Sequence, residues 1–327
     1  MTSPFTQGSL ATVFGGSGFA GRYAIRALAK NGWRVRAAVR RPDLAGHLQP
    51  MGAVGQIHAV QSNVRYPRSV EPAVIGADLV INFVSIPVAS GQQTFHSVHI
   101  DGARAVARAA KKANVKKFVH ISTIGADRNS PSYYGRTRAL GEVAVLEEFP
   151  EAVILRPSIV FGPEDSFYNK LALLAQYLPV LPLVAAGKTK FQPVYVGDLA
   201  DAVLAVTENK AQCGTIYEIG GPEVITFRQI LDNVQLWTGR NRMYLPIPLW
   251  FLKLQALLTL PLPNNIRPLT LDQALMFGVN HVVSESAISE GRTLSDLGVQ
   301  QLQSAIAIVP SYLERFRVNG QFSHYVG

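Results

Sequence analysis

The sequence contains one cysteine, Cys213, among its 327 residues. A single cysteine excludes an intramolecular disulfide and any metal site built from several thiolates, and it fits a reducing compartment. The seven histidines are dispersed, and neither a C-x-x-C nor an H-E-x-x-H pattern occurs. We therefore predict that the protein holds no structural metal.

Long uninterrupted apolar runs are also missing, because none reaches the roughly 18 residues of a membrane-spanning helix. The nearest, residues 249–260, includes Lys253 and Gln255 and has prolines on both sides. As a helix it would be about 18 Å long, too short for a bilayer. Residues 250–260 can pack within the chain or dock on a partner or a membrane interface, and the sequence leaves these alternatives open. The first predicted strand begins near Leu10, which leaves no room for a signal or transit peptide.

Charged residues are sparse, at 16%, whereas hydrophobic residues make up 48% and exclude a disordered chain. The net charge of +9 favours an anionic neighbour such as a nucleotide, nucleic acid, acidic lipid or acidic protein; a generally basic surface is the alternative. The densest basic cluster, Lys111, Lys112, Lys116 and Lys117, falls at a predicted helix end, where cations meet the helix dipole favourably. We interpret it as a solvated terminus and predict no nucleic-acid partner.

A glycine-rich turn, Gly15-x-x-Gly18-x-x-Gly21, lies between an apolar run and a helix-like stretch. Glycines let the backbone turn sharply and approach a pyrophosphate, and the N–H groups at the start of a helix face its charge. A glycine-rich loop without a ligand is the weaker alternative. The order of strand, turn and helix therefore predicts a dinucleotide site. Its predicted contacts are Gly15, Ser17, Gly18, Phe19 and Gly21.

Strand and helix patterns alternate through the first half of the chain. The apolar run 10–14 is followed by predicted strands at residues 34–39, 56–61, 78–85, 117–122 and 152–155. Predicted helices cover residues 22–30, 42–49, 101–113 and 134–148. Repeated strand–helix units predict an α/β fold with a doubly wound parallel Rossmann sheet and helices on both faces.

The pattern changes after residue 165. A helix is predicted over residues 167–178, and residues 194–208 and 215–219 predict a helix and a strand that return to the main sheet. From residue 226 onward, helices and prolines dominate. We predict a dinucleotide-binding Rossmann domain over residues 1–165, with 190–225 returning to it. Residues 166–189 and 226–327 are predicted to form a smaller, mostly helical C-terminal lobe over the carboxyl ends of the strands, where ligands bind.

The end of the second predicted strand indicates which dinucleotide binds. Arg40 and Arg41 stand there, and the first acidic residue, Asp43, comes only after a proline. An arginine pairs with a 2′-phosphate, which an acidic group would repel. We predict NADPH, with Arg40 as the main contact and Arg41 or Arg22 assisting. The alternative is that these arginines are simply exposed on the surface and that the adenosine site does not distinguish NADPH from NADH. Further predicted cofactor contacts are Asn63, Val64, Val84, Tyr134, Arg138, Pro157 and Ile159.

Together with the glycine turn, four motifs at residues 119–123, 132–142, 155–162 and 193–200 resemble the extended and atypical short-chain dehydrogenase/reductase family. The resemblance implies that a serine and a Tyr-x-x-x-Lys pair perform the chemistry. The tyrosine exchanges a proton with the substrate, and the lysine lowers the tyrosine pKa and holds the nicotinamide ribose. Ser122 and Tyr134 match this pattern, but Arg138 stands in place of the lysine.

Arg138 can still bond a ribose and act on a nearby phenol by its charge, but its bulk and fixed fork differ from a compact ammonium. We therefore expect Ser122, Tyr134 and Arg138 to form a weak or vestigial catalytic set, while Tyr134 and Arg138 still bind the nucleotide. His96, His99 and Asp101 are interpreted as polar residues at a helix start.

Within that family the chain most resembles the NADPH-binding accessory subunits of respiratory complex I, the NADH:ubiquinone oxidoreductase. Residues 134–165 and the proline-rich stretch 245–248 carry this resemblance. It implies a peripheral, non-catalytic subunit that binds NADPH and contacts other complex I subunits at the junction of the peripheral and membrane arms. The net charge of +9 suits peripheral contact with anionic lipid there. The expected location is the cytoplasmic face of a bacterial inner membrane, or the matrix side of a mitochondrial one. The alternative is an NADPH-dependent reductase or epimerase that uses Ser122 and Tyr134.

Overall fold

The structure is a computed structural model that describes residues 8–248, 250–252 and 271–317. Two compact units emerge. Unit 1 comprises Met1–Pro157, Val196–Ile219 and Val283–Gln300, and unit 2 comprises Ser158–Tyr195, Gly220–Val282 and Gln301–Gly327. The domain boundaries expected from the sequence stay a prediction. Most of the apolar segment 250–260 lies outside the described residues.

The described strands are, in chain order, β1 (Leu10–Phe14), β2 (Arg34–Val39), β3 (Ile57–Gln61), β4 (Leu79–Asn82), β5 (Lys117–Ile121), β6 (Val153–Pro157), β7 (Val160–Phe161), β8 (Val180–Val184), β9 (Lys190–Phe191), β10 (Val194–Tyr195), β11 (Ile216–Ile219), β12 (Ile225–Thr226) and β13 (Met243–Ile247). The described α-helices are α1 (Phe19–Lys30), α2 (Pro67–Val74), α3 (Asp101–Lys112), α4 (Tyr133–Glu148), α5 (Tyr168–Tyr177), α6 (Val196–Thr207), α7 (Phe227–Thr238), α8 (Leu271–Met276), α9 (Glu285–Ser289) and α10 (Ala305–Leu313).

Unit 1 is built on a seven-stranded sheet in the order β11-β6-β5-β4-β1-β2-β3, with each neighbouring pair parallel. Helix α1 packs on α6, while α2, α3 and α4 pack in a row. The predicted doubly wound α/β sheet is confirmed. Because the strand order changes direction between β1 and β4, a crevice forms at their carboxyl ends, where ligands bind in such sheets.

The sheet holds together because its central strands are apolar on both faces, as parallel strands covered by helices must be. In β1, residues from Ala11 to Phe14 are buried, and β4 is buried throughout. The one hydroxyl in β1, that of Thr12, donates to Ala73 O at 2.8 Å. Arg36 of β2 also donates to Ala73 O, at 2.7 Å, and thus satisfies the end of α2.

Two local elements differ from the sequence pattern in unit 1. Residues 42–49 were expected to form a helix, but Pro42–Leu44 and Gly46–Met51 are short 3₁₀ turns. Pro50 and Gly46 interrupt the pattern, and neither residue supports a continuous α-helix. Helix α2 was not expected, because Pro72 lies inside it; Pro67 at its first turn fixes a helical φ instead.

Unit 2 contains the pairs β7–β10 and β8–β13, both parallel, and β9–β12, which is antiparallel. Helices α5, α7 and α10 pack around one apolar core that includes Tyr168, Phe191 and Trp237. Helix α7 begins at a capping box formed by Thr226 and Gln229. Prolines within β8 and β13 hid these strands from the sequence pattern, because proline removes a donor from a ladder.

A close backbone approach fixes α4 against the turn before α3. Residues His96–Ile100 form a single π-helical turn there. A Cβ placed on Gly141 of α4 would lie 2.2 Å from His99 O. Only glycine therefore allows the two segments to approach this closely.

We predict that Gly141→Ala lowers the free energy of unfolding by about 1–3 kcal/mol, because the added methyl forces α4 away from His99. The control is Gly46→Ala, since nothing lies within 4 Å of a Cβ at Gly46. Urea unfolding of both variants measures the effect. Equal stabilities for the two variants would contradict this account of the packing.

Candidate functional site

A cavity of about 220 Å³ lies at the carboxyl ends of β1, β2, β3 and β4, entirely within unit 1. Its walls are the glycine turn after β1, the residues after β2 and β3, and the loop after β4. We call it the switch-point cavity. The predicted cofactor contacts that line it are Gly15, Ser17, Gly18, Arg40, Asn63, Val64 and Val84.

The glycine turn has the geometry that the sequence indicated. Gly15 has a φ of +75°, and Gly18 N–H donates to Gly15 O at 3.0 Å. A Cβ on Gly21 would lie 2.4 Å from Gly15 O, so the turn requires glycine at that position. Helix α1 starts at Phe19 with no side-chain cap and no acidic residue in its first turn. An uncapped N-terminus of this kind is suited to bind an anion.

The arginines near the end of β2 have different surroundings. The Arg40 guanidinium lines the cavity and donates from Nη1 to Gln93 Oε1. Arg41 is exposed and forms an ion pair with Asp43 at 2.8 Å. Arg22 lies over the glycine turn. Its Nε donates to Gly18 O and its Nη2 donates to Ser17 O, each at 3.4 Å. No carboxylate is among the described residues that line the cavity.

Ser62 offers an independent test of whether a ligand fits. It lines the cavity and is only 4% exposed, yet its hydroxyl lacks a hydrogen-bond partner among the described residues. A buried polar group left unpaired costs about 1–3 kcal/mol. A polar ligand in the cavity would remove that cost. The amides, Arg40 and Ser62 together fit a dinucleotide and its phosphate groups.

Other predicted contacts lie outside the walls of this cavity. Phe19 packs edge-on against Tyr23 at 5.9 Å between ring centroids, and Gly21 is buried beneath the turn. Pro157 ends β6, and Ile159 belongs to unit 2, where it packs on the core of that unit. Arg41, Tyr134 and Arg138 also do not line the cavity.

Ser122 follows β5 and is buried, and its hydroxyl donates to Glu142 Oε1. Arg156 holds the same carboxylate with two hydrogen bonds, of 2.9 and 2.6 Å. The hydroxyl proton of Ser122 is therefore engaged in a buried network of charge-assisted hydrogen bonds around the Glu142 carboxylate. The next hydroxyl, Thr123, is half-buried and lies 3.2 Å from Ile124 O.

Arg138 is 3% exposed, donates from Nη2 to Ile121 O, and has no hydrogen-bond partner for Nε among the described residues. Tyr134 is half-buried, and its ring meets His99 edge-on at 5.4 Å. The structure therefore places a buried guanidinium and a tyrosine on the first turns of α4, beside His99, which was interpreted from the sequence only as a polar residue at a helix start.

His99 connects the loop after β4 to α4. Ile86 N–H donates to His99 Nε2 at 3.2 Å, and His99 Nδ1 lies 3.1 Å from Thr137 Oγ1. Because Thr137 donates its hydroxyl proton to Tyr134 O, its oxygen must accept from His99 Nδ1–H. These contacts specify a neutral imidazole. In the sequence, the only indication that His99 is buried was that both of its neighbours are apolar.

The electrostatics of this region keep two histidines neutral. Burial lowers the pKa of His99 to about 2, and the positive charge of Arg138 adds to the shift. Burial and then Arg138 lower the pKa of His120 to about 3. His96, in contrast, forms an exposed pair with Asp101 at 3.0 Å, as a polar residue at a helix start does.

The densest basic cluster is paired with protein groups. Lys111 lies 3.2 Å from Glu151, Lys112 lies 3.3 Å from Glu71, and Lys116 lies 2.8 Å from Asp78. Lys117 donates to a backbone carbonyl, Val206 O. The charge of the cluster is therefore largely balanced locally. Within the described residues, no group of three or more candidate ligands could hold a metal ion.

Comparisons with known proteins give a family match and named relatives. The model of the NAD dependent epimerase/dehydratase family matches residues 11–220. Over 250 residues the chain is 34% identical to "NADH dehydrogenase (ubiquinone) 1 alpha subcomplex subunit 9, mitochondrial" of Dictyostelium discoideum, across 76% of this chain and 69% of that protein. The Arabidopsis thaliana protein of the same name is 33% identical over 295 residues, across 86% and 73% of the two chains.

A solved structure supports the fold alone. The NADPH-dependent quinone oxidoreductase of Escherichia coli, in complex with NADPH, has a TM-score of 0.71, with 22% identity across 93% of this chain and 99% of that chain. The predicted resemblance to short-chain dehydrogenases and to complex I accessory subunits is confirmed by these relatives. Among the described helices, none has both the length and the apolar character of a membrane span.

We predict that acid destabilises unit 1 through His99 and His120. Their folded-state pKa values lie below the ordinary 6.5, so the unfolded chain binds protons that the folded chain excludes. This stability is present above about pH 6.5 and is lost as the pH falls further, by about 1.4 kcal/mol per pH unit and histidine. Urea unfolding across this range measures the slope.

The variant His99→Gln should reduce that slope by about 1.4 kcal/mol per pH unit, which is the contribution of one proton. His58→Gln, which replaces an exposed histidine on β3, should leave it unchanged. An unaltered slope in the His99 variant would show that His99 is not held neutral in the folded protein.

Proposed function

We propose a function from one premise: this chain belongs to the NAD dependent epimerase/dehydratase family, and to the same family as alpha subcomplex subunit 9 of mitochondrial NADH dehydrogenase (ubiquinone). It is an NADPH-binding accessory subunit of respiratory complex I. It binds the nucleotide to stabilise its own fold and contacts other subunits where the peripheral arm meets the membrane arm. The relatives favour this function over a free-standing reductase or epimerase.

The observation that carries the cofactor assignment is the surroundings of Arg40. A guanidinium lines the cavity after β2, and no carboxylate lines it within the described residues. A 2′-hydroxyl is normally bound by an acidic group at this position, whereas a 2′-phosphate requires an arginine. The charge of the cavity therefore supports NADPH in preference to NADH.

Each part of the dinucleotide has residues to hold it. The amides of the glycine turn and of the first turn of α1 would hold the pyrophosphate, and Ser62 and Asn63 would contact the adenosine. Tyr134 and Arg138, which lie outside the walls of the switch-point cavity, would hold the nicotinamide ribose; in the described part of the chain, Arg138 Nε–H has no hydrogen-bond partner. The bound nucleotide would supply a hydride; the residues of this chain supply binding and orientation.

Turnover is weak or absent in this proposal. The hydroxyl of Ser122 is committed to Glu142, and the lysine of the family pattern is replaced by the buried Arg138. General acid–base catalysis needs a group that is free to pass a proton to the substrate. What remains is binding, and a ligand at a hundredfold excess over its Kd adds about 2.7 kcal/mol of stability.

The location and the partners are part of the same proposal. The subunit is peripheral, on the cytoplasmic face of a bacterial inner membrane or the matrix face of a mitochondrial one. The net charge of +9 suits a surface with anionic lipid, where each nearby cation contributes about 1 kcal/mol. The named relatives support other subunits of NADH dehydrogenase as its protein partners.

We expect Arg40→Ala to raise the Kd for NADPH by about 10- to 100-fold, because a charge-assisted bond to phosphate is worth about 1.5–3 kcal/mol. The Kd for NADH should change much less. Arg41→Ala is the matched control, since Arg41 is already paired with Asp43. Isothermal titration calorimetry measures both nucleotides. A parallel loss for NADH, or no loss for NADPH, would refute the role of Arg40.

The subunit assignment predicts that the tagged chain, isolated from its native membranes in mild detergent, elutes with the subunits of NADH:ubiquinone oxidoreductase. Its partners are identified by mass spectrometry, with the detergent extract of an untagged strain as control. The enzyme alternative predicts a free chain that oxidises NADPH with a small carbonyl compound and loses this activity in Tyr134→Phe. That second result would refute the accessory-subunit proposal.

A further inference from the structure

The loop after β4 extends to the far wall of the switch-point cavity. Ser90 and Gln93 exchange two backbone hydrogen bonds of 3.0 Å, which close a tight turn in which Gly91 has a φ of +54°. The Gln93 side chain leaves this turn and lines the cavity. There it meets Arg40, which lies 53 positions earlier in the chain.

The direction of this hydrogen bond determines what Gln93 offers to a ligand. Arg40 Nη1 donates to Gln93 Oε1, so the oxygen of the amide faces the guanidinium. The other end of the amide carries two N–H donors. In the described residues, no acceptor is bonded to Gln93 Nε2, so those donors remain available in the cavity beside Arg40.

We infer that Gln93 is a specificity-determining residue for the phosphate on the adenosine ribose. Its oxygen orients the Arg40 guanidinium, and its amide N–H groups bond the 2′-phosphate together with Arg40. This inference rests on the proposed binding of NADPH and adds a second segment of the chain to the recognition of that phosphate.

Two observations indicate that the contact between Arg40 and Gln93 takes part in recognising a ligand. Arg40 is exposed, and an exposed arginine loses side-chain entropy when it is ordered on a ligand. The bond to Gln93 orders the guanidinium beforehand and so reduces that cost. In addition, the unpaired hydroxyl of the buried Ser62 lies in the same cavity, which indicates that a polar ligand completes it.

The variant Gln93→Glu separates the two functions of the amide. A carboxylate keeps the contact with Arg40 but removes the N–H donors and brings negative charge toward the phosphate. We expect the Kd for NADPH to rise by about 10- to 100-fold, as for other charge-assisted contacts, and the Kd for NADH to change by less than about twofold. Gln93→Leu, which removes the polar end without adding charge, should give a smaller loss for NADPH.

Gln92→Glu is the matched control, because it adds the same charge at an exposed position that does not line the cavity. Calorimetric titrations with NADPH and NADH, and melting temperatures without nucleotide, are measured for each variant. If Gln93→Glu does not fold, Gln93→Leu carries the test.

The outcomes distinguish this inference from the proposal on which it rests. Selective loss of NADPH in the Gln93 variants, with Gln92→Glu unchanged, supports it. Variants at Gln93 that bind NADPH like the wild type, or that lose both nucleotides equally, overturn the role of Gln93 alone. A wild-type protein that binds neither nucleotide overturns the proposed function itself.

Discussion

The arrangement on which unit 1 most depends is the presentation of main-chain N–H groups at the start of α1, which suits them to bind an anion. It requires a sharp turn after β1, which Gly15 permits through its positive φ, and a close helix approach, which Gly21 permits by lacking a Cβ. The uncapped helix start then faces the crevice between β1 and β4. In the proposed function, Arg40, Ser62 and Gln93 share one ligand because this turn fixes where its pyrophosphate would lie.

Local patterns in the sequence predicted the elements that depend on neighbouring residues. The glycine turn, the strand β2 and the helix α3 all follow from short-range periodicity and chain order. The prolines in α2, β8 and β13 obscured those elements, because proline disfavours the helix or strand that these segments adopt in the folded protein. The partners of Ser122 and Arg40 could not be predicted, because Glu142 and Gln93 lie 20 and 53 positions away and meet them only in the folded sheet.

The same limit applies to His99. In the sequence, His99 and His96 both looked like polar residues at a helix start. Their different surroundings become visible only in the packed structure. His96 stays in solvent beside Asp101, while His99 is buried between the loop after β4 and α4. The substitution of arginine for the family lysine was visible in the sequence. Its consequence required the structure: burial lowers the pKa values of His99 and His120, and the buried positive charge of Arg138 adds to both shifts.

The nucleotide content of the native protein tests the central claim most directly. The protein is purified from its native cells without added nucleotide and denatured, and the released nucleotide is quantified per chain by chromatography. If, as we propose, main-chain amides and Arg40 bind NADPH in a subunit that does not turn it over, the protein should release close to one NADPH per chain. The amount should not fall after the assembly has oxidised NADH. Release of NADH or NAD, or of no nucleotide, would contradict the account.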